Sequence, residues 1–441
     1  MFYINYMCFL NMAAYPHAMN LCIMLWSRNE IKVTIQSKEK GPGERVTSSE
    51  LYQIIRSGRS AHPLVWGALN PKDDADLIKA LQANTSLTNV TLRFQTGNDY
   101  KSYKRILASL HDKHNLEYLY LSIPGDFYAG RAPIRLLSTL NLKNLVIIAN
   151  VENVDDLLRA LKRNVELTNL RLILQPISNG DTRRIIDFAL DRLSIFSLND
   201  ISQDGLDYIT EGLKTNDSLK MLTLSGHHDA DFAQLGQMLL TNTTLLSLDI
   251  INVRGTKNIE SLLESAAVNA TLLSLELPQL SESEIPALIT LLKNNDMLEK
   301  LHFSLTIDHV SQELIRALAA SKLIDLGIIY TTERSLHATD ALLRALRYNT
   351  TMKKLLSFDS DQPSNETIVD FLCTNNTLEY LWIPGTLTLS PDQIQQIAET
   401  NMSLIEVSDN LAILEPIAER NAYNKRLRET MLLRSTLQRM I

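Results

Sequence analysis

The sequence predicts an α/β solenoid, a horseshoe of stacked strand–helix units with a parallel concave sheet and a helical convex face. Three observations carry this. A leucine-type residue opens the same short phrase at Leu87, Leu116, Leu142, Leu167, Leu193, Leu219, Leu245, Leu272, Leu298, Leu323, Met352, Leu378 and Leu404, at intervals of 25 to 29 residues. Inside the phrase, apolar residues fall at positions 1, 4 and 6, as in Leu245-Leu-Ser-Leu248-Asp-Ile250, and positions 4 and 6 alternate as a half-buried strand does. The segment before it changes period. Phe232, Leu235, Met238 and Leu239 recur at helical spacing, as do Val154, Leu157, Leu158 and Leu161, and Ile285, Leu288, Leu291 and Leu292. A single unit cannot bury its own apolar faces, so units stack and share one core.

From the N-terminus, residues 1–26 are apolar and rich in methionine, but Asn5, Asn11, Pro16, His17 and Asn20 interrupt them. A membrane-crossing helix needs about 20 consecutive apolar residues, and the first basic residue, Arg28, follows the apolar stretch instead of preceding it. Three readings stay open: a secretory signal, an anchor, or an extension upstream of a later start at Met12, Met19 or Met24. Residues 1–46 are expected to form a poorly ordered extension, with a Gly/Pro linker at 38–43. The array is expected over 47–410. Its cap would begin with the capping-box spacing Thr47-Ser-Ser-Glu50, with Leu51, Ile54 and Ile55 on one helical face and Gly58 as the stop. A first irregular strand would follow at His62-Pro-Leu-Val-Trp-Gly67. Ser390-Pro391-Asp392 places an N-cap, a proline and an early acid at a helix start, and Asn70-Pro71 does likewise. Residues 411–441 break the repeat and read as a basic C-terminal capping helix, whose Leu414 and Ile417 can cover the last unit.

Each strand is preceded by a junction phrase such as Asn84-Thr-Ser-Leu87, Asn242-Thr-Thr-Leu245, Asn269-Ala-Thr-Leu272 or Asn375-Asn-Thr-Leu378. The phrase creates Asn-x-Ser/Thr sequons, nine along the chain. Density of this kind suits a glycosylated ectodomain. It also suits a turn residue placed once per repeat, and the fixed place in the repeat favours the turn.

With helices between the strands and this junction, the repeated Leu-x-x-Leu-x-Leu phrase resembles the leucine-rich repeat family, and within it the ribonuclease-inhibitor-like class. The resemblance covers about residues 62–430. It implies a non-catalytic scaffold that holds a protein partner on its concave face. Similar arrays occur in innate-immune receptors, actin-capping proteins, a GTPase-activating protein and effectors that intracellular bacteria deliver into host cells. Alternatives are therefore an enzyme regulator of the GTPase-activating kind, for which Arg131 and Arg334 lie in connecting segments, and an immune-type receptor. The family motif continues to an asparagine three residues after the last leucine, where a buried ladder forms. Here only Asn150 occupies that column, so the resemblance does not carry over a ladder there.

Composition narrows the partner. A net charge of −7 and 21% charged residues, with no block of Lys or Arg, lack the basic footprint that nucleic acid requires. A membrane partner is not expected either, and oligomeric state is not legible. Three scattered cysteines, Cys8, Cys22 and Cys373, form neither a disulfide framework nor a CxxC pair, which points to a cytoplasmic setting, of the producing cell or of a host. No GxxxxGK[ST], HExxH or GxSxG motif occurs, so neither catalytic residues nor a cofactor is expected. Contact residues are sought at positions 3 and 5 of the strand, which face away from the core. Those columns give the aromatic pairs Tyr118 with Tyr120 and Tyr380 with Trp382, apt interface anchors. They also give Arg171, and then Asp249, Glu276 and His302 on three successive strands, with Ser247, Ser274 and Lys300 beside them. Two carboxylates near a histidine suit a basic partner, a metal or acid–base work. An open sheet face supplies no pocket, which argues against catalysis and leaves partner contact or a merely solvated face. In His227-His-Asp-Ala-Asp231, Asp229 or Asp231 reads as a helix cap in preference to a metal ligand.

Overall fold

The structure, a computed structural model, describes residues 30–35, 64–66, 75, 78–79, 81–83, 88–93, 100–123, 131–151, 153–174, 177–226, 229–253, 255–305, 311–330, 338–358, 363–383, 388–407 and 409–440. The chain falls into two compact units, Met1–Gly212 with Ser218–His227, and Leu213–Asp217 with His228–Ile441. In the first unit, strands β1 (Glu30–Ile35), β2 (Leu64–Trp66), β3 (Asn89–Arg93), β4 (Tyr118–Ser122), β5 (Asn144–Ala149), β6 (Asn169–Leu174), β7 (Ile195–Asn199) and β8 (Met221–Ser225) pair in parallel. The second unit contains β9 (Ser247–Ile251), β10 (Ser274–Leu280), β11 (Lys300–Leu305), β12 (Asp325–Tyr330), β13 (Lys354–Phe358), β14 (Tyr380–Trp382) and β15 (Glu406–Val407), each parallel to the next. Helices such as Val154–Arg163, Ile259–Val268 and Asn365–Thr374 alternate with the strands. Each unit is thus an α/β leucine-rich-repeat solenoid, the class expected.

The N-terminal end departs from expectation. A strand, β1, lies within the stretch assigned to a poorly ordered extension, and it sits between β2 and β3, so spatial order differs from chain order there. Its Glu-Ile-Lys-Val-Thr-Ile has the period-2 alternation of a strand, but lies outside the 25–29-residue phase by which the other strands were found. The expected strand near 62–67 is β2. The cap helix expected at 47–58 and residues 1–26 lie outside the described residues.

Within the repeats, the alternation is as the phrase dictates: β5, β6 and β11 alternate half-buried and buried side chains along their whole length. Leu245, Leu248 and Ile250 are buried, as are Leu235, Met238 and Leu239 on the helix facing them. Helix starts are capped by side chains. Ser311 and Ser364 accept from the third residue on, and Ser390 forms a full capping box with Gln393, Pro391 following it. Asp231 Oδ1 accepts from Ala233 N, the first residue of its helix, at 2.9 Å, but the N-cap position itself is Phe232, which makes no side-chain cap bond. The Asn258 amide and the Ala233 N–H hold the Asp231 carboxyl below the usual carboxylate range.

The junction asparagines do more than turn the chain. In Asn375, Oδ1 accepts from Thr377 N and Leu378 N at 3.0 and 2.9 Å, while Nδ2 donates to Leu346 O and Asn349 O of the preceding repeat at 3.1 and 3.0 Å. Asn242, Asn269, Asn295 and Asn401 repeat this arrangement, one repeat after another. Leu239 and Leu346 are the last residues of their helices, whose terminal carbonyls have no partner inside the helix. A short side chain carrying one acceptor and two donors satisfies that helix end and the new turn together. Asp lacks the donors and Ser has one. The second unit therefore contains an asparagine ladder at the helix–strand junction. One rung is missing: Ser321 ends the helix before β12, and Asn349 reaches back to Ala319 O alone. In the first unit, Asn164 Nδ2 donates to Leu137 O at 2.7 Å while its Oδ1 accepts from Leu142 N, and buried Lys113 supplies only a backward donor, Nζ to Gln82 O at 3.0 Å, with burial lowering its pKa.

The chain ends in the helix Glu415–Met440. Arg420 donates to Ala398 O and Asn401 O at 2.6 and 2.9 Å, and buried Asn421 donates to Asn401 O and Leu404 O. These two residues take the carbonyls that a further rung would occupy. Among the described residues, no helix is long and apolar enough to cross a membrane.

Candidate functional site

Strand register determines which side chains meet on the face turned away from the core. In the second unit, position 3 reads Ser247, Ser274, Lys300, Asp325, Lys354, Tyr380 and Glu406 on successive strands, each directly beside the next. Position 5 reads Asp249, Glu276, His302, Gly327, Leu356 and Trp382. Asp249, Glu276 and His302 are thus brought together, as their spacing implied.

Their exposure is a correction. Asp249 and Glu276 are only 2% and 4% exposed, and all five residues of β9 are buried. These carboxylates are not contact residues on an open face. Strands about 4.8 Å apart let the larger side chains shield their neighbours, and the His302 ring lies against Glu276, Nδ1 to Oε2 3.8 Å. Ser247 Oγ approaches Asp249 Oδ1 at 3.4 Å.

His302 is the centre of the cluster. Its Nε2 is 2.9 Å from Asp325 Oδ1 on β12, a partner that sequence reasoning missed because Asp325 occupies position 3, diagonal to His302. The residue directly opposite His302 is Gly327, and a Cβ there would stand 2.8 Å from the ring's Cγ and Cδ2. Glycine is what lets the imidazole lie flat across the next strand. Burial pushes the imidazole pKa below its ordinary value, against the opposing pull of the Asp325 hydrogen bond and charge. Burial pushes the Asp325 carboxyl up, but the hydrogen bond and charge of His302, with Lys300 and Lys354, outweigh it and hold the pKa low. Near neutral pH the ring is a neutral donor to an ionised Asp325.

Such a His–Asp pair can hold and move one proton. No group of three His, Cys, Asp or Glu side chains among the described residues is arranged to hold a metal ion. The half-buried Lys300 and the exposed Lys354 flank Asp325 in register, and the half-buried Tyr380 and Trp382 lie one strand beyond Lys354.

In the first unit the same columns carry Asn89, Tyr118, Asn144, Asn169, Ile195 and Met221, then Thr91, Tyr120, Val146, Arg171, Ser197 and Thr223. Tyr118, Tyr120 and Arg171 are half-buried, and Arg171 lies between Val146 and Ser197 in register. Asn169 Nδ2 donates to Asn144 Oδ1, a pairing of neighbours in position 3 that the aromatic search passed over. Arg131 begins the helix Arg131–Leu137, while Arg334, His227 and His228 lie outside the described residues.

No family model and no curated protein matches this chain. Among solved structures it is similar to the complex of Rad7 and Elc1 in yeast, at 15% identity and a TM-score of 0.39, over 82% of this chain and 83% of that one.

Proposed function

We propose that the chain is a non-catalytic interaction scaffold that binds a protein partner on the faces formed by positions 3 and 5. One observation carries this reading: the register stacks those side chains into continuous columns, with aromatic residues among them in each unit, Tyr118 beside Tyr120 and Tyr380 beside Trp382. Half-buried rings on a rigid sheet lose little entropy when a partner covers them. Arg171, Lys300 and His302 supply polar contacts, while Asp249 and Glu276 are buried beside them. We assign the ribonuclease-inhibitor-like class from the helix after each strand and the Asn-x-Ser/Thr-Leu junction. With that goes a cytoplasmic setting, of the producing cell or of a host that receives the protein as an effector. Affinity capture should compare the wild type with two variants, Tyr118→Ala/Tyr120→Ala and Tyr380→Ala/Trp382→Ala. Loss of a specific protein from either variant supports the reading, and identical recovery by all three proteins ends it.

A further inference from the structure

The paired amides of Asn144 and Asn169 narrow the partner that the first unit takes. Their side chains bond to one another across β5 and β6, which uses one donor of Asn169 and one acceptor site of Asn144. Both residues are half-buried and held in register on the face opposite the core. Whichever way the two amides are turned, the couple still offers an amide N–H at one end and a carbonyl oxygen at the other. The same two groups, side by side, are what one residue of an extended chain presents along its edge when it pairs with another strand.

We propose that Asn144 and Asn169 read the main chain of an extended polypeptide segment lying across the strands of the first unit, one residue of that segment exchanging two hydrogen bonds with the couple. The inference rests on the partner-binding reading above and specifies the form in which the partner arrives. Neighbouring side chains define what flanks that residue. Tyr118 and Tyr120 on β4, with Val146 on β5, form an aromatic and aliphatic surface on one side, and Arg171 on β6 is the only charged side chain in positions 3 and 5 of β3 to β8. The segment is therefore an extended peptide with an aliphatic or aromatic side chain near the couple and a carboxylate reaching toward Arg171. A helical segment is disfavoured, since its main-chain groups are already paired internally.

The probe is a random 12-residue peptide library selected against the full chain. Enriched peptides are then remade with single backbone N-methylations, each of which deletes one N–H without changing the side chain. One position should lose binding about tenfold or more in the wild type, as expected when a built donor or acceptor is left unpaired. The Asn144→Leu/Asn169→Leu variant, checked for an unchanged thermal midpoint, should bind the parent peptide correspondingly weaker and show no further loss on that N-methylation. If the variant binds normally, or N-methylation costs both proteins equally, the amide reading is wrong, and the partner-binding reading stands provided Tyr118→Ala/Tyr120→Ala still weakens the peptide. If no peptide is enriched, an extended segment is not what this face takes.

Discussion

Asn375→Ala is the most exacting test of how the array holds together. Asn375 is 2% exposed, and its side chain makes four hydrogen bonds to main-chain groups, two in its own turn and two in the preceding repeat. At about 1 kcal/mol net for each bond, deletion costs about 4 kcal/mol. Burial of the abandoned groups raises that figure and local relaxation lowers it, so a loss on the order of 3–5 kcal/mol is expected. Asn376 next to it is exposed, and Asn376→Ala should change stability by no more than about 0.5 kcal/mol. Asn375→Asp distinguishes the two halves of the side chain: both acceptor bonds survive, but an anionic oxygen now faces Leu346 O and Asn349 O. It should be at least as destabilising as alanine at neutral pH, with partial recovery in acid once the carboxyl regains a proton to donate. Urea unfolding followed by circular dichroism measures all three variants. If Asn375→Ala lies within about 1 kcal/mol of the wild type, or matches Asn376→Ala, the junction asparagines are turn formers only and the ladder carries no weight.

Three further outcomes follow from the same geometry. His302 is held neutral in the fold, its pKa below the unfolded value of 6.5, so the unfolded chain takes up the proton first; stability is full above that value and is lost as pH falls through it toward the folded pKa. The loss between pH 7.5 and 5.5 should be visibly smaller in His302→Gln, and equal slopes would contradict the assignment. Gly327→Ala drives a methyl into the imidazole, which should break the His302–Asp325 bond and cost on the order of 1–3 kcal/mol, read by unfolding and by the His302 side-chain NMR signals. Passed through a secretory pathway, the folded fraction should carry no glycan at Asn242, Asn269, Asn349, Asn375 or Asn401, because each Nδ2 is committed to a carbonyl; site-resolved mass spectrometry detects any exception.

The fold was legible because its signal is repeated. Leu245, Leu248 and Ile250 would be ambiguous alone, but thirteen phased copies leave no other assignment. Strand β1 escaped because it belongs to no copy. The site was legible only as columns. Periodicity says which residues share a face, and it did bring Asp249, Glu276 and His302 together. It does not say how deeply they sink, since burial depends on the size and lean of neighbours, nor does it foresee a diagonal partner such as Asp325. The ladder shows the same limit. The Asn-x-Ser/Thr-Leu phrase was read correctly as a turn, yet the donors that make it a ladder reach main-chain groups 26 to 30 residues earlier, a distance at which local sequence is silent.

The rungs all point one way. The junction side chains of Asn242, Asn269, Asn295, Asn349, Asn375, Asn401 and Asn421 each donate to main-chain carbonyls of residues made earlier. During synthesis, a repeat leaving the ribosome finds its acceptors already in place, so the second unit can zip up from its N-terminal side without waiting for chain still to come. The asymmetry extends to truncation. Cutting after a repeat removes donors and leaves carbonyls, which tolerate a missing partner more easily. Cutting before one strands an amide inside the core. A nested set of C-terminal deletions should therefore stay folded further into the array than the mirror set from the N-terminus.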